Sequence, residues 1–378
     1  MKKHLLAVAV AGLTPWIAAA QSSRVIVTFH GDPDASVVAG AGGEVVHGVG
    51  PHSVAAHVPP GQVAKLAADA NVASVSADVV VSASGKPSGG GTTQPAQTVP
   101  WGITRIGADA AWGISTGAGV KVAIVDTGVK NDHADLTPRV ILGATYVTGT
   151  KSAKDDNGHG THVAGSVGAS NNAIGVVGVA PACTLVAVKV LDRNGSGYLS
   201  SVAAGIRWAA DNGAKVINMS LGGSSDTQAG DLLSAVTYAA GKGVVICAAA
   251  GNEGDQVPQP ASYPAMYDQT IAVGATDSAD AVPVWSSKGS YVDIAAPGVA
   301  VKSTYKDGLY ATWSGTSMAT PHVAGAAAVL IAGGTTDPAA VRSKLTTTAD
   351  DVNAASLPGK DDAIGDGLLD VDEALTIP

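Results

Sequence analysis

Ser317 stands in the run Gly315-Thr316-Ser317-Met318-Ala319-Thr320-Pro321-His322, where a glycine gives way to a small, apolar, helical-looking stretch reaching Ala332. A hydroxyl at a helix start sits at the positive end of the helix dipole, where negative charge is stabilised. Pro321 reads as part of the first turn, where backbone N–H groups lack helical partners. These features suit a nucleophile, and they also suit an ordinary cap, since Ser and Thr are favoured there. Asp126 directly follows the apolar run Val122-Ala123-Ile124-Val125 and precedes Thr127-Gly128. Alone it reads as a carboxylate closing a turn, although ligands in open α/β sheets gather beyond the carboxyl ends of strands. His159 occupies Asn157-Gly158-His159-Gly160-Thr161-His162, a glycine-flanked helix entrance. The i, i+3 pair His159/His162 could in principle hold a metal, but no third ligand follows and no His-Glu-x-x-His occurs. A fourth segment, Ala248-Ala249-Ala250-Gly251-Asn252-Glu253-Gly254, carries a side-chain amide.

The elements that must place these groups follow from the apolar pattern. Continuous β-branched runs at 120–125, 184–190, 214–219, 243–248 and 270–274 read as strands buried on both faces, as in a parallel sheet. Helical patterns lie near 160–168, 199–212, 231–241 and 317–332. Together they predict an α/β domain over 96–378 with a central, mostly parallel sheet. Before it, residues 21–84 read as a small α+β unit, βαβ-like, with strands near 24–29, 53–58 and 72–81 and a helix near 61–70. Gly85 to Thr93 has the composition of a flexible, protease-accessible linker, assigned to 85–95.

At 378 residues the chain can build one large domain and a smaller one. A net charge of −9 without a basic footprint argues against nucleic acid as a partner. Met1-Lys2-Lys3, an apolar stretch over 5–20 and Ala18-Ala19-Ala20 form a secretory signal, removed after about Ala20. Thr14-Pro15 interrupts that stretch, and a membrane span would need about 20 apolar residues. Export without a membrane anchor is therefore expected, to the cell exterior or the periplasm. Five of the nine His fall in the first 60 residues, without metal-ligand spacing. Two Cys, Cys183 and Cys247, cannot make a disulfide framework.

Taken together, the four motifs resemble those of the subtilisin-like serine proteases, in the order Asp, His, Asn, Ser. The segment Asn218-Met219-Ser220-Leu221-Gly222-Gly223 places the resemblance closest to the subtilisin branch. It spans the chain and implies a three-layer subtilisin-like peptidase domain preceded by an inhibitor-type propeptide that is both chaperone and inhibitor. It implies that Ser317 is the nucleophile, a weak one until a base assists it. His159 would take the hydroxyl proton and return it to the leaving amine, with Asp126 on its other ring nitrogen. The Ser317 N–H and the Asn252 amide would hold the oxyanion. His162 and His322 are then structural, and Met318 is an oxidation liability beside the site. Ala319 in place of a second glycine, with Ser last in chain order, argues against an α/β-hydrolase esterase.

The resemblance further implies that substrate adds as a strand between Gly195-Ser196-Gly197 and Ser220-Leu221-Gly222-Gly223. The P1 pocket would be walled by Ala249 and Gly251 and floored near Ser262, which stands where many subtilisins carry glycine, so medium apolar P1 residues are expected over Trp. A structural calcium is implied at Gln97, Asp135, Ser170, Asn172, Ile174 and Val176, with Ser170, Ile174 and Val176 offering carbonyls. First processing is expected near Ser84–Gly85, with a trimmed start near Ala96-Gln97. In the resembled sheet two strands separate Cys183 from Cys247, about 14 Å at roughly 4.8 Å per strand, so both are expected to be free thiols. The expected product is a monomeric, autoprocessed zymogen acting on proteins and peptides. A catalytically silent subtilase-fold binding protein and an exported serine esterase are the alternatives.

Overall fold

The computed structural model describes residues 22–83, 85–90, 94–223 and 230–377. The signal segment, Ser84 and residues 91–93 of the expected linker lie outside them.

Residues 23–77 form β1 (Ser23–Phe29), α1 (Ala35–Gly40), β2 (Glu44–Gly50), β3 (Ser53–Val58), α2 (Val63–Ala67) and β4 (Val72–Ala77). The sheet order is β2-β3-β1-β4, with each neighbouring pair antiparallel. Each helix thus links two parallel strands separated by a third, the split βαβ arrangement. One face packs a core of Val25, Val27, Phe29, Val38, Val58 and Leu66. The pattern missed α1 and β2, because Gly48, Gly50 and His47 break the alternation of β2 and α1 has under two turns.

The chain then runs as β5 (Val80–Ala83) and β6 (Lys86–Gly90) into short helices α3 (Trp101–Arg105) and α4 (Ala108–Ala111). Within the stretch expected to be a flexible linker, β6 is a strand paired antiparallel to β17. Next come β7 (Lys121–Asp126), β8 (Val140–Thr145), α5 (His159–Gly168), β9 (Thr184–Lys189), β10 (Ser196–Tyr198), α6 (Leu199–Asp211), β11 (Val216–Met219), β12 (Leu221–Gly222) and α7 (Gly230–Gly241). The chain finishes with β13 (Val245–Ala249), β14 (Ile271–Thr276), β15 (Ile294–Pro297), β16 (Val301–Thr304), β17 (Tyr310–Ser314), α8 (Thr316–Ala332), α9 (Pro338–Thr347) and α10 (Val371–Thr376).

Seven strands make the central sheet in the order β15-β14-β13-β11-β7-β9-β8, and all six pairings are parallel. Alternation of side chains gives it two covered faces. Val122 and Ile124 of β7 join the core that holds α5 and α8, while Ala123 and Val125 join the core that holds α6 and α7. This is the three-layer arrangement expected, and the apolar runs of β7, β9, β11, β13 and β14 are the reason it was readable. Asp126 therefore ends a central strand at the sheet's carboxyl edge.

The amino-terminal unit docks on α6 and α7 through a polar network. Tyr198 at the start of α6 supplies no side-chain cap. Asp78 supplies one from the other unit, accepting from the Ser200 N–H at 2.9 Å and the Ser200 hydroxyl at 2.6 Å. Arg24 pairs with the same carboxylate at 2.7 Å and lies 4.1 Å from the Tyr198 ring centre. A carboxylate at a helix N-terminus is favoured by the dipole, and Arg24 compensates its burial. At α7, Asp231 accepts from the Ser53 hydroxyl at 2.7 Å.

Candidate active site

Asp126 and His159 meet across the end of the sheet. The His159 Nδ1–H points at both Asp126 oxygens, at 2.8 and 2.9 Å, and both side chains are buried. The Thr127 N–H donates to Asp126 Oδ1 at 2.6 Å, fixing the carboxylate. Gly160 is required beside them, because a Cβ there would lie 2.1 Å from the Gly128 carbonyl.

Asp155, which the sequence reading missed, ties the two segments together. Its Oδ1 accepts from the Thr127 hydroxyl and from the N–H groups of Asn157 and Gly158, each at 2.9 Å. Its Oδ2 accepts from the Thr161 N–H at 3.0 Å, inside the first turn of α5. The Thr127 hydroxyl accepts in turn from the Gly160 N–H at 2.9 Å. Lys189, a fully buried lysine also passed over, donates to the Thr127 carbonyl at 2.6 Å and pairs with Asp156 at 2.6 Å. A signal was present: an acid four residues before a Gly-flanked His is well placed to cap that helix.

His159 Nε2 is buried with no hydrogen-bond partner. The Ser317 hydroxyl instead donates to the Ser220 carbonyl at 2.9 Å, so the Ser–His bond expected of a triad is not made in this state. Pro321 lies well inside α8, beyond its first turn, a correction to the sequence reading. The Asn252 carbonyl oxygen accepts from the Thr316 N–H at 2.9 Å and the Thr316 hydroxyl at 3.0 Å, leaving its Nδ2 group as donor. Asn252 lines a cleft together with Gly85, Gly222, Trp285 and Ser314, among others.

The other helical histidines pack rather than ligate. His162 stacks on Trp313 at 5.4 Å, and its Nε2–H lies 3.1 Å from both the Val301 and Ala311 carbonyls. Burial, then the neighbouring His159, pushes its pKa down to about 3. His322 Nδ1 donates to the Met318 carbonyl at 2.8 Å, and burial pushes its pKa down to about 4.

The groove segments come together around β5. It runs antiparallel between β10 and β12, with Ser196 opposite Ser82, Gly197 opposite Val81, Leu221 opposite Ala83 and Gly222 opposite Ser82. The Ala83 N–H donates to the Gly195 carbonyl at 2.8 Å. Gly85 follows, where a Cβ would lie 3.2 Å from Met318 Sδ and 3.7 Å from His159 Cδ2. Beside the groove, a cavity of about 310 Å³ is lined by Gly222, Gly223, Gly251, Glu253, Gln256 and Ser262, among others. The Ser262 hydroxyl projects across it, 3.5 Å from the Ala249 carbonyl, while Ala249 itself is buried in β13. Glu253, given no role in the sequence reading, lines the same cavity and accepts from the Asn252 N–H at 2.7 Å.

The six residues assigned to calcium also converge. Asp135, fully buried, accepts from Asn172 Nδ2 at 2.9 Å and from the Val176 N–H at 3.0 Å. Gln97 Oε1 accepts from the Asn172 N–H at 2.5 Å, and the Ser170 N–H donates to the Asp135 carbonyl at 2.8 Å. Ala96 bridges to Ile174 and Thr98 to Val176, which brings the loop against the chain after β6. One carboxylate with amide and carbonyl oxygens is an oxygen-only donor set, the kind a hard cation takes. Among the described residues no group of three His, Cys, Asp or Glu is gathered.

Comparison with known proteins agrees. Residues 117–367 match the model of the Subtilase family. Subtilisin DY of Bacillus licheniformis is 48% identical over 283 residues, which cover 74% of this chain and 99% of its own. Thermitase of Thermoactinomyces vulgaris is 47% identical over 254 residues, covering 67% of this chain and 89% of its own. The crystal structure of fervidolysin from Fervidobacterium pennivorans, a keratinolytic enzyme related to subtilisin, aligns with a TM-score of 0.81 at 28% identity. That alignment covers 94% of this chain and 61% of the fervidolysin chain. With its matched region, its relatives and its seven-stranded parallel sheet in agreement, this chain belongs to the subtilase family and is a serine endopeptidase.

Proposed function

We propose that Ser317, His159, Asp126 and Asn252 carry out peptide hydrolysis through an acyl-enzyme, and that the chain is an exported zymogen that cuts itself. The observation that carries this reading is the buried Asp126–His159 pair whose second nitrogen has no partner. In the resting state the Ser317 hydroxyl rests on the Ser220 carbonyl. A substrate residue that continues a strand lying as β5 does brings its own N–H to that carbonyl and displaces the hydroxyl toward His159 Nε2. His159 takes the proton as Ser317 Oγ attacks, and Asp126 stabilises the imidazolium. The negative oxygen is held by the Ser317 N–H and Asn252 Nδ2, donors already in place. His159 then protonates the leaving amine, and water repeats the cycle on the ester.

The first substrate is the chain itself. Ala83 is held in the groove, and a Cβ at Gly85 would lie 3.2 Å from Met318 Sδ and 3.7 Å from His159 Cδ2, which supports the Ser84–Gly85 bond as the cut. The unit before it acts as intramolecular chaperone and inhibitor, since it fills the groove and caps α6. Calcium, when bound by Gln97, Asp135, Ser170, Asn172, Ile174 and Val176, supplies charge that ties the 169–176 loop to the chain after the cut. Export to the exterior or periplasm and a monomeric state complete the reading. No helix among the described residues is long and apolar enough to cross a membrane.

The test is amino-terminal sequencing of secreted wild type and Ser317→Ala, with fluorophosphonate labelling. Wild type is expected to start at Gly85 or be trimmed toward Ala96, and to label at Ser317; the variant stays full length and unlabelled. A Ser317→Ala chain that still processes itself, or label on another residue, would overturn it. Turnover of short esters without casein would instead favour the esterase.

A further inference from the structure

The nucleophile's helix carries a proline where a hydrogen bond should be. In an α-helix the carbonyl of residue i accepts from the N–H of residue i+4, so Ser317 would accept from residue 321. Residue 321 is Pro, which has no N–H and whose ring crowds that carbonyl. The Ser317 carbonyl is therefore released from the helix, inside the protein, where an unmade bond is costly. The Ser220 hydroxyl fills the gap, donating to the Ser317 carbonyl at 2.8 Å. Asn218, fully buried, orients that hydroxyl by donating from Nδ2 to Ser220 Oγ at 3.0 Å. Ser220 thus grips Ser317 twice, through its hydroxyl on the Ser317 carbonyl and through its own carbonyl under the Ser317 hydroxyl.

Neighbouring carbonyls of the same turn show how Ser317 differs. The Thr316 carbonyl gains a donor from the Thr320 hydroxyl at 2.8 Å and the Met318 carbonyl gains one from His322 at 2.8 Å, both within the helix. Of these three, the Ser317 carbonyl alone takes its side-chain donor from the substrate-binding segment. We propose that the Ser220 hydroxyl, set by Asn218, is a positioning group for the nucleophile: it replaces the helical bond that Pro321 removes and couples the backbone angle of Ser317 to the strand that receives substrate. This role is separate from the carbonyl that Ser220 offers to a substrate, and it rests on Ser317 being the nucleophile.

The consequence is a compensating pair. Ser220→Ala removes the donor while keeping the substrate-facing carbonyl, so kcat is expected to fall about tenfold with KM within twofold. Adding Pro321→Ala restores an N–H four residues after Ser317, and the double variant is expected to return to within about threefold of wild type. The rate of fluorophosphonate addition at Ser317, read from the mass of each variant chain, should move in parallel with kcat. Pro321→Ala alone completes the cycle. A Ser220→Ala enzyme with wild-type kcat, a double variant no faster than Ser220→Ala, or a change confined to KM would overturn the proposal. Should Ser220→Ala fail to fold, Ser220→Cys preserves shape and keeps a weak donor. Its kcat is expected below wild type and is raised by Pro321→Ala; wild-type kcat, or no rise, again overturns it. Failure of wild type to label at Ser317 would instead remove the nucleophile assignment itself.

Discussion

In the proposed mechanism Asn252 divides one amide between holding and acting. Its oxygen is fixed by Thr316, so its nitrogen is aimed before substrate arrives. Asn252→Ala is expected to lower kcat by about 10²–10³ with little change in KM, the loss found on removing the corresponding donor of a subtilisin. Steady-state kinetics on a chromogenic peptide would check it, and a loss appearing in KM would contradict it. Ser262 offers a second residue-level test. Its hydroxyl lies 3.1 Å from where a Cβ on Gly222 would be and 3.2 Å from one on Gly251, so it narrows the cavity proposed to take the P1 side chain. Ser262→Gly should shift preference from medium apolar toward aromatic P1 residues in a peptide library; an unchanged profile would show that Ser262 does not set the limit. Asp126, His159, Asn252 and Ser317 were legible as candidates because each sits in a motif whose residue types suit a chemical task. Asp155 and the Ser220 hydroxyl were not, because each acts through a hydrogen bond to a segment far away in sequence, Thr127 and Ser317 respectively.

At the scale of elements, the central strands were readable from uninterrupted β-branched runs. The strands β8, β15, β16 and β17 were not, being short or mixed in polarity, and α9 and α10 lack a strong apolar stripe. Helices α5 and α8 bury His162 and His322 in the neutral form, and this has a pH signature. His162 and His322 have folded values of about 3 and about 4, below the ordinary 6.5. Below pH 6.5 the unfolded chain binds protons that the native chain does not, so stability falls as pH drops toward those folded values. Each histidine contributes up to about 1.4 kcal/mol per pH unit over that window. Tm measured from pH 7 to pH 5 is expected to decline, and less steeply in His322→Asn; identical slopes would contradict this. For the 169–176 loop, chelator should lower the Tm of the mature form and have no further effect on Asp135→Ala. An unchanged Tm in wild type would remove calcium from the reading.

For the whole molecule, stability rests on burial rather than on covalent cross-links. Cys183 precedes β9 and Cys247 lies in β13, and β7 and β11 run between those strands. Both thiols are free and fully buried, and burial pushes each pKa up to about 12. A thiol reagent should find none in the native enzyme and two after denaturation; a disulfide-linked mass would contradict the arrangement. Helix α8 is buried on every side, from Thr316 to Leu330. Close-packed interiors do not deform gradually, so this helix has no exposed face by which a distant ligand could shift it. Control of such an enzyme falls to whatever lies across its entrance. An occupant of that entrance competes with substrate, and residues 80–83 already lie between β10 and β12 there.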